Sequence, residues 1–213
     1  MTIWIISAII ISYLVGSVHG SKIAQFFSGI NVKNEGLKNS GASNAAIVLG
    51  LKYGILVAMI DILKGVFIVI GFRYATQHFA TFTEAEQAMI LYLAGAAVIL
   101  GHNFPIFTRF KGGKGTASII GILLAINWPI GLIGFLLLVV TTLLTDYLLI
   151  GVFVFYFVFI ASSIWFAAGS APVIIACFLF IMASLLHIEN FKRLFRNEEM
   201  KISTFLKRKK PAA

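Results

Sequence analysis

Two lysines set among glycines are the first place in this sequence where chemistry could happen. The stretch Phe110-Lys111-Gly112-Gly113-Lys114-Gly115-Thr116 opens a run that carries no charge as far as Thr145. Glycine lets backbone N–H groups come close to an anion, lysine adds full positive charge, and a helix N-terminus adds a partial one. That combination suits a phosphate, although a flexible basic loop would use the same residues. It is not a nucleotide P-loop. Gly115 stands where the Gly-x-x-x-x-Gly-Lys-Ser/Thr pattern requires a hydroxyl, and the preceding element reads as a helix rather than a strand.

Three further groups stand out. Asn39-Ser40-Gly41-Ala42-Ser43-Asn44 offers small polar side chains ahead of an apolar run, suited to capping a helix or to hydrogen-bonding an anion. In His187-Ile188-Glu189-Asn190-Phe191-Lys192-Arg193, helical spacing puts His187 and Asn190 on one face, with Arg193 a turn further on. His187 there suits a base or a substrate-orienting group, and equally a polar end-cap. Asp61 and Lys64, three residues apart inside an apolar segment, can pair; such a pair marks a functional site or fixes helix packing. The four histidines are scattered and Cys177 is alone, so neither a metal-ligand spacing nor an internal disulfide is available.

The elements that must position these groups are membrane spans. Of the 213 residues, 60% are apolar and 12% charged, against roughly 45–50% and about 25% in soluble domains. Apolar runs at residues 3–18, 51–72, 88–100, 148–166 and 173–186, with residues 116–145 broken at Asn127-Trp128-Pro129, predict an all-α polytopic membrane protein of about seven spans. The first run lacks a basic leader and a small-residue cleavage site, which predicts a retained span rather than a signal peptide. Fourteen of the 17 basic residues fall in the loops after spans one, three and seven, while Arg73 faces Glu84 and Glu86 in an opposite loop. The positive-inside rule then puts the N-terminus outside and the C-terminus in the cytoplasm. The net charge of +9 is thereby explained by topology, so nucleic acid is not an expected partner. Residues 1–200 read as a single transmembrane domain, and residues 201–213 as a basic cytoplasmic tail whose Lys207-Arg208-Lys209-Lys210 run suits anionic membrane lipid.

Taken together, Gly41-Ala42-Ser43-Asn44, Asp61-Ile62-Leu63-Lys64-Gly65, Gly101-His102-Asn103-Phe104-Pro105 with Phe110 to Gly115, and His187-Ile188-Glu189-Asn190 with Lys192-Arg193 resemble the bacterial membrane family of acyl-phosphate:glycerol-3-phosphate acyltransferases. The similarity runs from about Tyr13 to Glu199. It implies transfer of a fatty acyl group from acyl phosphate to the 1-hydroxyl of glycerol 3-phosphate, giving lysophosphatidic acid in the bacterial inner (plasma) membrane, with the site facing the cytoplasm. An acyl phosphate is already activated, so the chemistry needs no cofactor, metal or covalent intermediate. The resemblance implies that His187 and Asn190 lie near the reacting hydroxyl. It implies that Asn39, Ser43, Asn44, His102, Asn103, Lys111, Gly112, Gly113, Lys114 and Arg193 bind substrate or phosphate.

The chain departs from the family pattern in its first motif. The family's Ser-Gly is Leu37-Lys38 here, the Arg expected three residues after Asn44 is Ile47, and Leu148 to Val152 replaces a serine-rich turn. Lys38 is the candidate replacement for the lost cation, as a point charge rather than a fixed fork. The altered motif leaves two other readings: a non-catalytic or regulatory homologue that binds acyl phosphate or glycerophosphate, and an acyltransferase with a different acceptor.

Overall fold

A computed structural model describes residues 1–207, and the regular elements among them are helical: α1 (Thr2–Gly16), α2 (Gly20–Ser28), α3 (Ala42–Leu49), α4 (Leu51–Phe79), α5 (Glu84–Asn103), α6 (Thr116–Ile126), α7 (Trp128–Thr145), α8 (Leu148–Phe166), α9 (Ala171–Leu186), α10 (Ile188–Phe195) and α11 (Ile202–Lys207). Except for the Lys207 backbone, the basic run at 207–210 lies outside the described residues. The boundaries follow local chemistry. Thr83 and Glu86 form a reciprocal capping box at the start of α5. Asn127 caps α7 by accepting from the Ile130 N–H, with Pro129 in the first turn, and this splits the uncharged stretch at the residue where the sequence predicts a break.

The helices alternate in direction. α1 and α5 run side by side with the same polarity: Trp4 packs edge-on against Phe82 at one end, and the Tyr13 hydroxyl donates to the Phe104 carbonyl at the other. α4 runs the opposite way, its far end pinned where the Arg73 guanidinium donates to the Ile126 carbonyl closing α6. α7 and α8 form a helical hairpin, and α9 returns along α5 and α8. α5 is the central helix and is the most buried. Its Ile90, Val98 and Ile99 pack with Ile119 and Leu123 of α6, Phe155 and Phe159 of α8 and Leu179 of α9. Large apolar side chains such as Ile10, Ile55, Phe67, Leu144, Phe157 and Ile174 face outward, as lipid-facing residues do.

Among the described residues, five helical stretches are long and apolar enough to cross a membrane, or six if α9 and α10, bent by 55° at His187, count as one. The expectation of seven differs from this count because of α6. At 11 residues, and about 1.5 Å per residue, it is shorter than a bilayer core of about 30 Å. The loop expected over residues 20–44 also contains structure: α2 folds as an amphipathic helix with Phe26 and Phe27 outward, and Gly41 starts α3.

The ends of α1, α5, α7 and α9 and the starts of α4, α6 and α8 make one face, here the site face. It is locked by a buried polar node. The Lys64 ammonium donates to Asp61 Oδ1 at 2.8 Å and to the Gly16 and Val18 carbonyls at the end of α1, each at 3.0 Å. His102 Nδ1 lies 2.8 Å from the same ammonium, and Asp61 Oδ1 also accepts from the Gly20 N–H at 3.4 Å. The ammonium has three hydrogens for these four neighbours, and His102 Nδ1 also lies 3.5 Å from Asp61 Oδ1, so the lysine, the carboxylate and the imidazole form one shared cluster. Lys64 is 7% exposed, and with Asp61 it ties α4 to α1, α2 and α5. Breaking such a pair leaves a buried charge. Lys64→Met should cost about 3–5 kcal/mol, whereas Asp61→Leu with Lys64→Met should recover most of it. Thermal unfolding in detergent measures both, and a Lys64→Met midpoint equal to wild type would remove the pair from the stabilising contacts.

Candidate active site

The site face gathers the three candidate loops, but not all their residues point the same way. The glycine loop folds back on the end of α5. The Gly112 N–H donates to the Asn103 carbonyl and the Gly113 N–H to the His102 carbonyl. Both N–H groups, which the resemblance places on a phosphate, are bonded within the chain in this structure. Their glycine identity serves close approach, since a Cβ on Gly113 would collide with His102 Nε2 and one on Gly112 with the His102 and Asn103 carbonyls. His102 and Asn103 are themselves buried beneath the loop, His102 in the polar node and Asn103 against Met182. Both are supports of the loop rather than groups on its surface.

Lys114 leaves this loop toward the third motif. Its ammonium donates to Asn190 Oδ1, whose amide donates in turn to Glu199 Oε1 at 2.6 Å. The other Glu199 oxygen accepts from Arg193 Nε at 2.7 Å. Burial, with the Arg193 charge nearby, pulls the Lys114 ammonium down to about 8, and Glu199 opposes this. His187 sits at the bend between α9 and α10, and its Nδ1 donates to the Ala183 carbonyl at 2.8 Å. That bond caps the end of α9 and fixes the tautomer, so Nε2 is the nitrogen left to accept a proton. Lys114, His187, Asn190 and Arg193 are thus brought together, joined by Glu199, which the sequence reading passed over as one acid in a basic stretch.

The first motif behaves differently. Asn44 is fully buried; its Nδ2 donates to the Val32, Glu35 and Asn39 carbonyls, and its Oδ1 accepts from the Leu37 N–H. Asn39 Oδ1 accepts from the Gly41 N–H. These two asparagines shape the loop, and Ser43 is exposed on α3. Lys38 is exposed too, with a left-handed backbone (φ 53) at the position where the family pattern has glycine. Lys111 does not join Lys114. It lines a separate cleft with Lys22 and Lys33, and its carbonyl accepts from the Lys33 ammonium and from Thr108 Oγ1.

The family model described as glycerol-3-phosphate acyltransferase matches residues 6–197. The chain belongs to the glycerol-3-phosphate acyltransferase family. Among relatives, it is 44% identical over 202 residues to glycerol-3-phosphate acyltransferase 1 of Oceanobacillus iheyensis, covering 95% of this chain and 97% of that one. It also superposes on crystal structures of PlsY (YgiH), an integral membrane glycerol 3-phosphate acyltransferase. The glycerol 3-phosphate form has a TM-score of 0.82 at 28% identity, covering 95% of this chain and 97% of that one. The lysophosphatidic acid form has a TM-score of 0.79 at 27% identity, covering 92% and 94%. A membrane-embedded acyltransferase fold is therefore retained across nearly the whole chain despite the altered first motif.

The Lys38 backbone gives a test of what that motif now does. A left-handed conformation costs a non-glycine residue roughly 1–2 kcal/mol. Lys38→Gly should accordingly raise stability by about 1 kcal/mol, less the gain in unfolded-state freedom. Denaturant titration of the purified protein reads the change. A loss of stability would mean that the Lys38 side chain contributes a contact outweighing its backbone strain.

Proposed function

We infer that this chain, an acyltransferase by family, transfers a fatty acyl group from acyl phosphate to the 1-hydroxyl of glycerol 3-phosphate, giving lysophosphatidic acid and inorganic phosphate. One observation carries the reading: Lys114 of the glycine loop bonds Asn190, which Glu199 joins to Arg193, on the short helix that His187 begins. Cation, amide and base then stand where a phosphate and a hydroxyl can be held together. The related PlsY structures include a glycerol 3-phosphate form and a lysophosphatidic acid form, which supports the same acceptor and product here.

In the proposed step the acceptor's O1 attacks the acyl carbonyl carbon, a C–O bond forms, and the bond from that carbon to the phosphate oxygen breaks with its electron pair leaving on phosphate. The hydroxyl proton passes to His187 Nε2 or directly to the departing phosphate. Lys114 offsets the charge that gathers on the phosphate, and Asn190, held by Glu199, orients the reactants. The mixed anhydride supplies the driving force, so the residues bind, align and move one proton.

The reading extends to topology. We propose that α6 and the α9–α10 pair complete seven crossings, with the N-terminus outside and the site face in the cytoplasm of a bacterial inner membrane. The alternating helix directions and the basic residues on one face support this. Residues 1–200 would be the acyltransferase unit. Residues 201–213 would form a tail on anionic lipid, leaving the bundle where Ser203 bonds Asp146 at the end of α7.

Two outcomes are expected. With palmitoyl phosphate and glycerol 3-phosphate the purified protein should form lysophosphatidic acid, and Lys114→Ala should lose about tenfold to a hundredfold in kcat/KM, as expected for a charge-assisted contact worth roughly 1.5–3 kcal/mol. Because Lys114 titrates near 8, wild-type activity should fall as pH rises through that value and the cation is lost. Lys114→Arg, charged throughout, should lack that fall; an unchanged alkaline limb would detach it from Lys114. For topology, in a Cys177→Ser background, Thr81→Cys should react with an impermeant thiol reagent from outside intact cells and Lys192→Cys should not. Labelling of both would overturn the orientation.

A further inference from the structure

The cleft that takes Lys111 is built largely from residues outside the family's motifs. It is lined by His19, Lys22, Lys33, Ser40 and Lys111, and as it stands, with the Lys33 ammonium bonded to the Lys111 carbonyl, it leaves no room for a water-sized sphere. A small anion can enter it only when the Lys33 side chain releases that carbonyl. Among the described residues, no carboxylate lies within ion-pair distance of Lys22, Lys33 or Lys111. Three cations therefore face one small space without a counter-charge.

The second observation concerns hydrogen bonding. His19 is 2% exposed, and neither of its ring nitrogens has a partner. The Ser40 hydroxyl is 1% exposed and equally unpartnered. Both line the cleft, and a buried polar group without a protein partner is completed by water, an ion or a ligand. His19 is held rigidly. It caps the start of α2, its ring lies against His102 with centroids 4.6 Å apart, and the Val18 carbonyl before it is gripped by Lys64. The imidazole is thereby presented to the cleft by the same node that locks the site face.

We propose that this cleft binds a phosphate monoester dianion, the phosphate group of glycerol 3-phosphate or of acyl phosphate, and that His19, Lys22 and Lys33 supply the donors that the altered first motif no longer provides. The proposal rests on the reading that the enzyme handles two phosphorylated substrates. A dianion has three terminal oxygens, each able to accept more than one hydrogen bond. The cleft meets them with ammonium groups, a hydroxyl and an imidazole N–H. Burial, together with the charges of Lys22 and Lys111, holds the Lys33 ammonium below the usual lysine range, a condition that a bound dianion relieves. Lys38, the cation singled out from sequence as the replacement for the missing Arg, points to solvent; Lys33 lies at the cleft instead.

The test uses the full-length protein in lipid nanodiscs with palmitoyl phosphate and glycerol 3-phosphate, comparing wild type with Lys33→Gln and His19→Phe. Phenylalanine keeps the stacking on His102 and removes the donors, and Lys33 is partly exposed, so its variant does not depend on core packing. Each variant should raise KM for at least one substrate tenfold or more, with kcat within threefold and partial rescue in Lys33→Arg. A rise confined to glycerol 3-phosphate assigns the cleft to the acceptor, and one confined to palmitoyl phosphate assigns it to the donor. Unchanged KM values for both substrates in both variants, or a loss in kcat alone, would overturn the proposal while leaving the acyltransferase reading intact. If wild type forms no product, that reading fails and the cleft is tested by inorganic phosphate alone. Phosphate should raise the thermal midpoint of wild type and not of Lys33→Gln, and equal shifts would overturn the cleft as well.

Discussion

Everything on the site face depends on one ammonium group in an apolar interior. Lys64 places its three hydrogens on a carboxylate of its own helix and on two carbonyls at the end of α1, and lies against an imidazole of α5. Carbonyls at a helix end have no intrahelical partner, and in hydrocarbon they would otherwise go unmet. The lysine thus settles two problems together: its own burial and the termination of α1 inside the bundle. Because α2 begins immediately afterwards, with the Gly20 N–H on Asp61, the direction in which the chain leaves α1 is set by this node.

From that node the placement of the other groups follows through short connections. His102 sits under the glycine loop, and the loop has no room for a side chain at Gly112 or Gly113 because its backbone is bonded directly to the end of α5. The loop is rigid for this reason, and the two lysines that flank the glycines diverge from it. Lys114 turns to the α9–α10 bend and Lys111 to the α1–α2 corner. One short segment therefore reaches two neighbouring clusters.

Much of this arrangement was legible in the residues. Long apolar runs announced the helices, and Asn127 with Pro129 announced a break, because these signals act within a few residues. The pairing of Asp61 with Lys64, and the shared face of His187 and Asn190, followed from helical spacing. The short α2 and α3 escaped, since Gly20, Ser21 and Lys22 look like loop residues and their helix exists by packing against α4. The internal bonds of Asn44, Gly112 and Gly113 were not legible for one reason: backbone partners that are distant in sequence cannot be seen in the residues that use them. His19, Lys33, Ser40 and Glu199 were missed because each is unremarkable alone and acquires meaning from a neighbour on another element. Lys38 drew attention through its charge, whereas its structural peculiarity lies in its backbone.

The spacing of Asp61 and Lys64 also bears on how the protein enters the membrane during synthesis. A lone charge at a helix centre costs about 2.5–3.5 kcal/mol on insertion scales, and two would nearly prevent α4 from partitioning into lipid by itself. Placed one turn apart, they close on each other, so α4 can leave the insertion machinery as a small dipole rather than as two ions. The remaining hydrogens of the ammonium then meet carbonyls of α1, which is already present because it is made first. His102 then arrives with α5 and packs against the pair. The order in which the ribosome delivers the helices is therefore also the order in which the buried cation needs them, and moving the pair onto a later span would break that correspondence.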